Sequence, residues 1–185
     1  MEANDRFTEQ LGDIDNGDSS VSLLDLAQRY AYVVPDEPSL SLLGELGPIV
    51  EMGAGTGYWA CRLRARGVDV IAYDLAPPGG ARANRYHAPT ATWSDVVAAD
   101  HTILARHPDR ALFLCWPPLF SSLGDCLAFY GGTTVALIGD GGHRTARIRG
   151  LNDAFSQVLV TSVRALEPFP GATPTLSIWR RRRAD

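Results

Sequence analysis

The stretch of the chain best suited to chemistry is Glu51-Met52-Gly53-Ala54-Gly55-Thr56-Gly57, an acid followed by glycines at alternate positions. It leaves an apolar run, Ile49 to Met52, and enters a segment of helical character, Trp59 to Arg66, so it reads as the turn of a strand-turn-helix unit. Open α/β sheets bind their ligands at such turns. Glycines there allow the backbone to approach a ligand closely. Asp74 stands 21 residues after Gly53, at the end of the next apolar run, Val68 to Tyr73, where a carboxylate can accept both hydroxyls of a ribose. The pairing indicates a nucleoside ligand. A dinucleotide turn would carry its third glycine where Tyr58 stands, and a phosphate-cradling P-loop would need a lysine, of which the chain has none. The same lack of lysine excludes Schiff-base chemistry.

An acid leading Gly-x-Gly-x-Gly resembles motif I of the class I S-adenosylmethionine-dependent methyltransferases, whose cofactor carries no phosphate. The resemblance covers about residues 48 to 182. It implies that Glu51 faces the ammonium side of the cofactor's methionine, that Gly53, Ala54, Gly55 and Gly57 form the cofactor turn, and that Asp74, followed by Leu75, holds the ribose. It further implies that Asp100 takes the adenine amino group and that His101 stacks on or flanks the base. Cys115-Trp116-Pro117-Pro118-Leu119 then corresponds to motif IV, beside the reactive methyl, with Trp116 touching both cofactor and acceptor. Amino-group methyltransferases carry Asn, Asp or Ser at the first motif IV position and an aromatic residue at the fourth. Here Trp116 and Leu119 replace them, and an indole offers only an N–H donor. Base methylation in nucleic acid is therefore not the expectation. A π face for the sulfonium or a flat acceptor, worth roughly 0.5–2 kcal/mol, is what Trp116 can supply.

Methyl transfer from a sulfonium disperses charge, so alignment and desolvation carry much of the catalysis. A neutral acceptor must still lose a proton, and His87, His101, Asp140 and His143 are the candidates to receive it. Asp140 and His143 lie in Gly139-Asp140-Gly141-Gly142-His143 after the fifth strand and could form an acid-base pair. Tyr30 and Tyr32 belong to the amino-terminal segment expected to cover the pocket. With His87, Trp116 and Pro117 they make up the expected acceptor side. No metal is required.

The elements that must position these residues follow from periodicity and breakers. The polar, mostly acidic residues 1 to 20 hold too little apolar material to repay ordering and read as a flexible tail. Residues 21 to 47 read as a helical cover: a helix capped by Ser19 or Ser20 and running to about Tyr32, a break at Pro35 and Pro38, then a short helix through Leu46. From Pro48 strands and helices alternate. Strand-like runs fall at Trp93 to Ala98, Ala111 to Trp116, Thr133 to Ile138, Val163 to Leu166 and Thr175 to Trp179, and helical ones at Leu119 to Tyr130 and Leu151 to Val160. The expected fold is a Rossmann-like three-layer α/β sandwich. Alternation gives a parallel sheet with helices on both faces, and the resemblance implies that the sheet is seven-stranded and mostly parallel with an antiparallel last strand.

The 185 residues carry 17 basic and 21 acidic side chains, and 45% are hydrophobic. That suffices for one domain with a real core, and the net charge of −4 gives no general affinity for nucleic acid or an anionic membrane. The run Arg180 to Arg183 reads as a solvated edge or carboxy-terminal fray. Cys61, Cys115 and Cys126 form no Cys-x-x-Cys pair, and residues 1 to 20 lack the order of a signal peptide, so a reduced, cytoplasmic protein is expected. The leading expectation is methyl transfer to N or O of a small molecule, such as a natural-product intermediate, by a monomer or homodimer. The alternatives are a peptide or carrier-bound acceptor, a non-catalytic protein that binds S-adenosylmethionine or its product S-adenosylhomocysteine, and, least favoured, a nicotinamide oxidoreductase.

Overall fold

In the computed structural model the described residues are 3–17, 20–82, 84, 86–87, 92–117, 122–140, 151–166 and 173–183. The elements are α1 (Ala3–Asp15), α2 (Leu23–Arg29), α3 (Glu37–Gly44), β1 (Ile49–Met52), α4 (Tyr58–Arg64), β2 (Val70–Asp74), β3 (Val97–Ala98), a 3₁₀ helix (His101–Arg106), β4 (Ala111–Cys115), α5 (Ser122–Phe129), β5 (Thr134–Asp140), α6 (Leu151–Ala154), β6 (Phe155–Ser162) and β7 (Pro174–Arg181). One seven-stranded sheet has the order β3-β2-β1-β4-β5-β7-β6. The first five strands pair in parallel, and β7 runs antiparallel to β5 and β6. This is the expected architecture.

Alternation along the strands builds two apolar layers. Ile49, Ala72, Phe113 and Ile138 face Leu26, Leu40, Tyr58 and Leu63 of α2, α3 and α4. Val50, Leu112, Leu114 and Val135 face Leu104 of the 3₁₀ helix and Cys126 of α5 on the opposite side. No helix among the described residues is long and apolar enough to cross a membrane.

The amino terminus departs from the expected flexible tail. Residues 3–15 form α1, and Phe7 and Leu11 are buried in the layer above α4. Phe7 packs 5.1 Å from Tyr30 and 5.3 Å from Tyr58, ring centre to ring centre. Glu9, Asp13 and Asp15 of this helix are exposed, and Asp15 meets Arg164 at 2.6 Å. Truncating Phe7 to alanine removes a buried ring, so urea denaturation of Phe7→Ala should show a loss of about 3 kcal/mol. A tail without tertiary contacts would show no change.

Ser22 caps α2 through a capping box: the Asp25 N–H donates to Ser22 Oγ (3.1 Å) and the Ser22 N–H to Asp25 Oδ2 (2.9 Å). The helix ends at Arg29, short of the expected Tyr32. Beyond it the Tyr30 carbonyl accepts the Thr56 hydroxyl, and residues 32–34 run extended beside 164–166, with the Val34 N–H to the Arg164 carbonyl and the Leu166 N–H to the Tyr32 carbonyl both at 2.8 Å. The expected strand Val163 to Leu166 is thus a clasp for the cover and lies outside the sheet. The expected helix Leu151 to Val160 is a single turn, α6, followed by β6. Of Trp93 to Ala98 only Val97–Ala98 is strand. Arg180 and Arg181 do not fray: both lie in β7, and Arg181 donates to the carbonyls of Gly132 and Tyr130, at 2.8 Å each, over the Phe155 ring.

Candidate functional site

Register and parity bring the expected chemistry to one face. Glu51 is the ladder partner of Ala72 and Phe113, and Phe113 that of Ala136. Two residues further along their strands, Asp74 and Cys115 therefore share the face of Glu51, and Asp140, four beyond Ala136, shares it too. All four stand at or near the carboxyl ends of parallel strands, where the glycine turn enters α4.

The turn needs its glycines. Gly53, Gly55 and Gly57 have φ of +78°, +53° and +72°, left-handed values that L side chains adopt at a cost. A Cβ on Gly57 would come within 2.6 Å of Val96 Cγ2, and one on Gly55 within 2.3 Å of His87 Nε2, whereas one on Gly53 would meet none of the described residues within 4 Å. Gly53 is therefore the glycine that leaves its neighbourhood open to a ligand. Asp74 is built into the turn: its Oδ2 accepts the Gly55 N–H and its Oδ1 the Ala76 N–H, both at 2.8 Å.

Glu51 is buried, and its Oε2 has no hydrogen-bond partner among the described residues. Burial, aided by the facing Asp74 carboxylate, pushes its pKa up to about 8, against the opposing pull of Arg64. Arg64 itself is engaged with the Val70 carbonyl at 2.8 and 3.1 Å and with Ser94. Cys115, next to Glu51, is also pushed up by burial and by that carboxyl, which keeps the thiol neutral. The floor of the site is thus acidic.

Above the turn, described residues that follow β2 meet the amino-terminal cover. Trp93 Nε1 donates to the Arg29 carbonyl and the Trp93 N–H to the Thr56 carbonyl, at 2.7 and 2.8 Å. His87 Nδ1 lies 3.0 Å from the Gln28 carbonyl, and the Tyr32 hydroxyl donates to the Tyr86 carbonyl. Asn84 Oδ1 accepts the Tyr86 and His87 N–H groups at 2.9 and 3.0 Å. Together these bonds fasten Asn84, Tyr86, His87 and Trp93, the described residues referred to below as the strap, over the glycine turn. Sequence reasoning missed the anchors Gln28, Arg29 and Trp93, whose only local signal is the indole of Trp93. Tyr30, expected on the acceptor side, is 2% exposed and stacks on Trp93 at 4.8 Å, so it is core.

Comparison of the sequence with family models and with curated proteins finds no match. Solved structures do match. The Burkholderia thailandensis 1,6-didemethyltoxoflavin-N1-methyltransferase aligns over 96% of this chain and 87% of its own, with a TM-score of 0.53 and 17% identity. Magnesium protoporphyrin IX methyltransferase from Synechocystis aligns over 79% and 77% (TM-score 0.51, 11% identity), and the 23S rRNA methyltransferase ErmE over 81% and 70% (TM-score 0.50, 20% identity). The fold is that of the class I S-adenosylmethionine-dependent methyltransferases.

Within this methyltransferase fold the remaining expected residues fall as follows. Leu75, beside Asp74, is 54% exposed. Asp100 follows β3 but its Oδ1 caps the 3₁₀ helix, accepting the Thr102 N–H at 3.0 Å. His101 packs on Phe129 of α5, 5.3 Å between ring centres. Trp116 has φ +53°, a strained value for a non-glycine residue, at the carboxyl end of β4, and its N–H donates to the Ile138 carbonyl at 2.8 Å. Half-buried Pro117 follows it. Asp140 Oδ1 accepts the Thr173 N–H at 3.3 Å. His143, its expected partner, lies outside the described residues, as do Pro118 and Leu119.

Replacing Asp74 by alanine should both weaken nucleoside binding by more than a few-fold and lower thermal stability, since two backbone donors lose their acceptor. Titration calorimetry and a melting curve read the two effects separately. Unchanged cofactor binding would remove Asp74 from the ligand site.

Proposed function

We propose that the chain is an S-adenosylmethionine-dependent methyltransferase that moves a methyl group to N or O of a small molecule, a natural-product intermediate being the class to test first. The observation that carries the reading is Glu51: a buried carboxyl with an oxygen unpartnered among the described residues, at the foot of a glycine turn and on the face of Asp74. A ligand presenting a cation and hydroxyl donors fits this floor, and S-adenosylmethionine presents both, with a sulfonium that supplies the activated methyl. Glu51 would hold the ammonium side, the turn Gly53 to Gly57 the backbone-contacting part, and Asp74 with Leu75 the nucleoside.

The strap supports a small acceptor. Its described residues lie over the turn beside the cover, and a ligand site covered in this way would fit a small molecule better than a polymer. Tyr32, with Trp116 and Pro117 at the end of β4, would line the acceptor side, where Trp116 offers an aromatic face. With a ligand bound, strap and cover would shield it from water, which strengthens each polar contact inside.

The test is incubation with methyl-labelled S-adenosylmethionine and a panel of small phenols, carboxylic acids and amines, with RNA and a peptide library alongside. Label on a small molecule, with S-adenosylhomocysteine formed in equal amount, is the expected result. Label on RNA or peptide alone would overturn the acceptor class. Binding without transfer to any acceptor would favour a non-catalytic cofactor-binding protein.

A further inference from the structure

His87 is held in one tautomer. The Gln28 carbonyl can only accept, so the Nδ1 that lies 3.0 Å from it carries the proton. Burial lowers the pKa of the ring and keeps it neutral, which leaves Nε2 as a bare acceptor. That nitrogen faces Gly55 so closely that a Cβ there would lie 2.3 Å from it, and it has no hydrogen-bond partner among the described residues. The Tyr32 ring meets the imidazole edge-on at 5.5 Å and 71° and fixes its plane. The N–H of Gly55 is taken by Asp74 Oδ2, and Asp74 Oδ1 receives a second backbone N–H. Two acceptors, one from β2 and one from the strap, therefore converge on Gly55, and the carboxylate is already partly used.

We propose that His87 is a ligand-binding residue, its Nε2 accepting a hydrogen bond from an N–H or O–H donor of the nucleoside bound on the glycine turn, a ribose hydroxyl or the α-ammonium. This rests on the reading of the site as one for S-adenosylmethionine. It gives the strap a direct part in recognition: a ligand rich in donors is drawn beneath the strap, and a ligand presenting phosphate oxygens to Nε2 is refused.

The test uses His87→Asn, whose amide can keep the bond to Gln28 but withdraws the Nε2 acceptor, and His87→Gln, whose carbonyl can reach the Nε2 position. S-adenosylhomocysteine should bind His87→Asn roughly tenfold more weakly than the unaltered protein, and His87→Gln should recover most of the loss. In the unaltered protein the ¹⁵N resonance of His87 Nε2 should move from the bare-acceptor position on adding S-adenosylhomocysteine, while Nδ1 stays protonated. Titration with 5′-methylthioadenosine, which lacks the amino-acid portion, separates the donors: an equal loss in His87→Asn points to the ribose, and no loss to the ammonium. Unaltered affinity in His87→Asn together with an unmoved Nε2 resonance would overturn the role of His87 and leave the cofactor intact. Absence of S-adenosylhomocysteine binding to the unaltered protein would overturn the cofactor reading itself, and the role of His87 with it.

Discussion

Gly55→Val should reduce S-adenosylmethionine binding by more than about a hundredfold. Three costs fall on the one position. A β-branched residue at φ +53° pays ~1–2 kcal/mol for the left-handed backbone alone. Its Cβ would collide with the His87 imidazole, which cannot swing away without losing its bond to Gln28 and its contact with Tyr32. Relief by moving the backbone would break the Gly55 N–H bond to Asp74 and so disturb the acid expected to hold the ribose. Gly53→Ala is the informative partner. It meets none of the described residues within 4 Å, so its effect comes from its φ of +78° and from whatever ligand lies there. A Gly53→Ala protein that melts close to the unaltered one yet binds the cofactor poorly would place the ligand against Gly53. Normal binding by Gly55→Val, measured by titration calorimetry, would contradict the account of the turn.

The second large effect is a pH dependence of cofactor affinity set by Glu51. With its pKa raised to about 8, the carboxyl holds its proton at neutral pH in the free protein. Binding of an ammonium requires the carboxylate, so binding releases that proton. Below about pH 8 the affinity should then rise close to tenfold per pH unit and level off above it. The groups that face Glu51 are Asp74 from β2, Arg64 from α4 and Cys115 from β4. Of these, the Cys115 thiol, raised by burial, stays neutral across this range. The same shift fixes the sign for stability. An acid whose folded pKa is raised contributes most below its ordinary value of 4.5 and loses that contribution as pH climbs toward 8. Ligand-free Glu51→Gln should therefore match the unaltered protein near pH 4–5, be the more stable of the two above pH 8, and bind the cofactor about tenfold or more weakly with no proton release. Denaturation curves at the two pH values and calorimetry in buffers of different ionisation enthalpy measure these effects.

The central strands were legible because burial on both faces leaves an unbroken apolar signature. All four residues of β1 are buried, as are Ala111 to Leu114 of β4, and both were placed within a residue or so. The glycine turn was legible for a local reason as well, since its backbone conformation admits little but glycine. Elements at the margins were not. Leu151, Ala154, Phe155 and Val158 repeat at helical spacing, yet β6 is an edge strand whose alternation is broken by a bulge between Gln157 and Leu159 and whose Val158 and Val160 face outward. The β-branched residues Val158, Val160, Thr161 and Val163 were the competing signal. In α1, Phe7, Leu11 and Ile14 do follow a helical period, but three apolar residues among so many acids are too few to outweigh composition, and the ring of Tyr30 that completes their pocket lies in another helix's wake.

The site divides in the same way. Glu51, Gly53, Gly55, Gly57 and Asp74 were brought together as their spacing implies. The strap was not foreseeable, because it is made of side chains meeting backbone carbonyls far along the chain: His87 on Gln28, Trp93 on Arg29, Tyr32 on Tyr86. No periodicity encodes such contacts. They also decide which tyrosine is core and which reaches the strap.

The most direct test of the central claim is isothermal titration of the purified protein with S-adenosylmethionine, S-adenosylhomocysteine and NAD at pH 7, repeated in two buffers of different ionisation enthalpy. Micromolar binding of the first two, release of close to one proton by each, and no binding of NAD is the predicted result. Binding of NAD alone, or binding of neither sulfur nucleoside, would contradict the cofactor and every residue role built upon it.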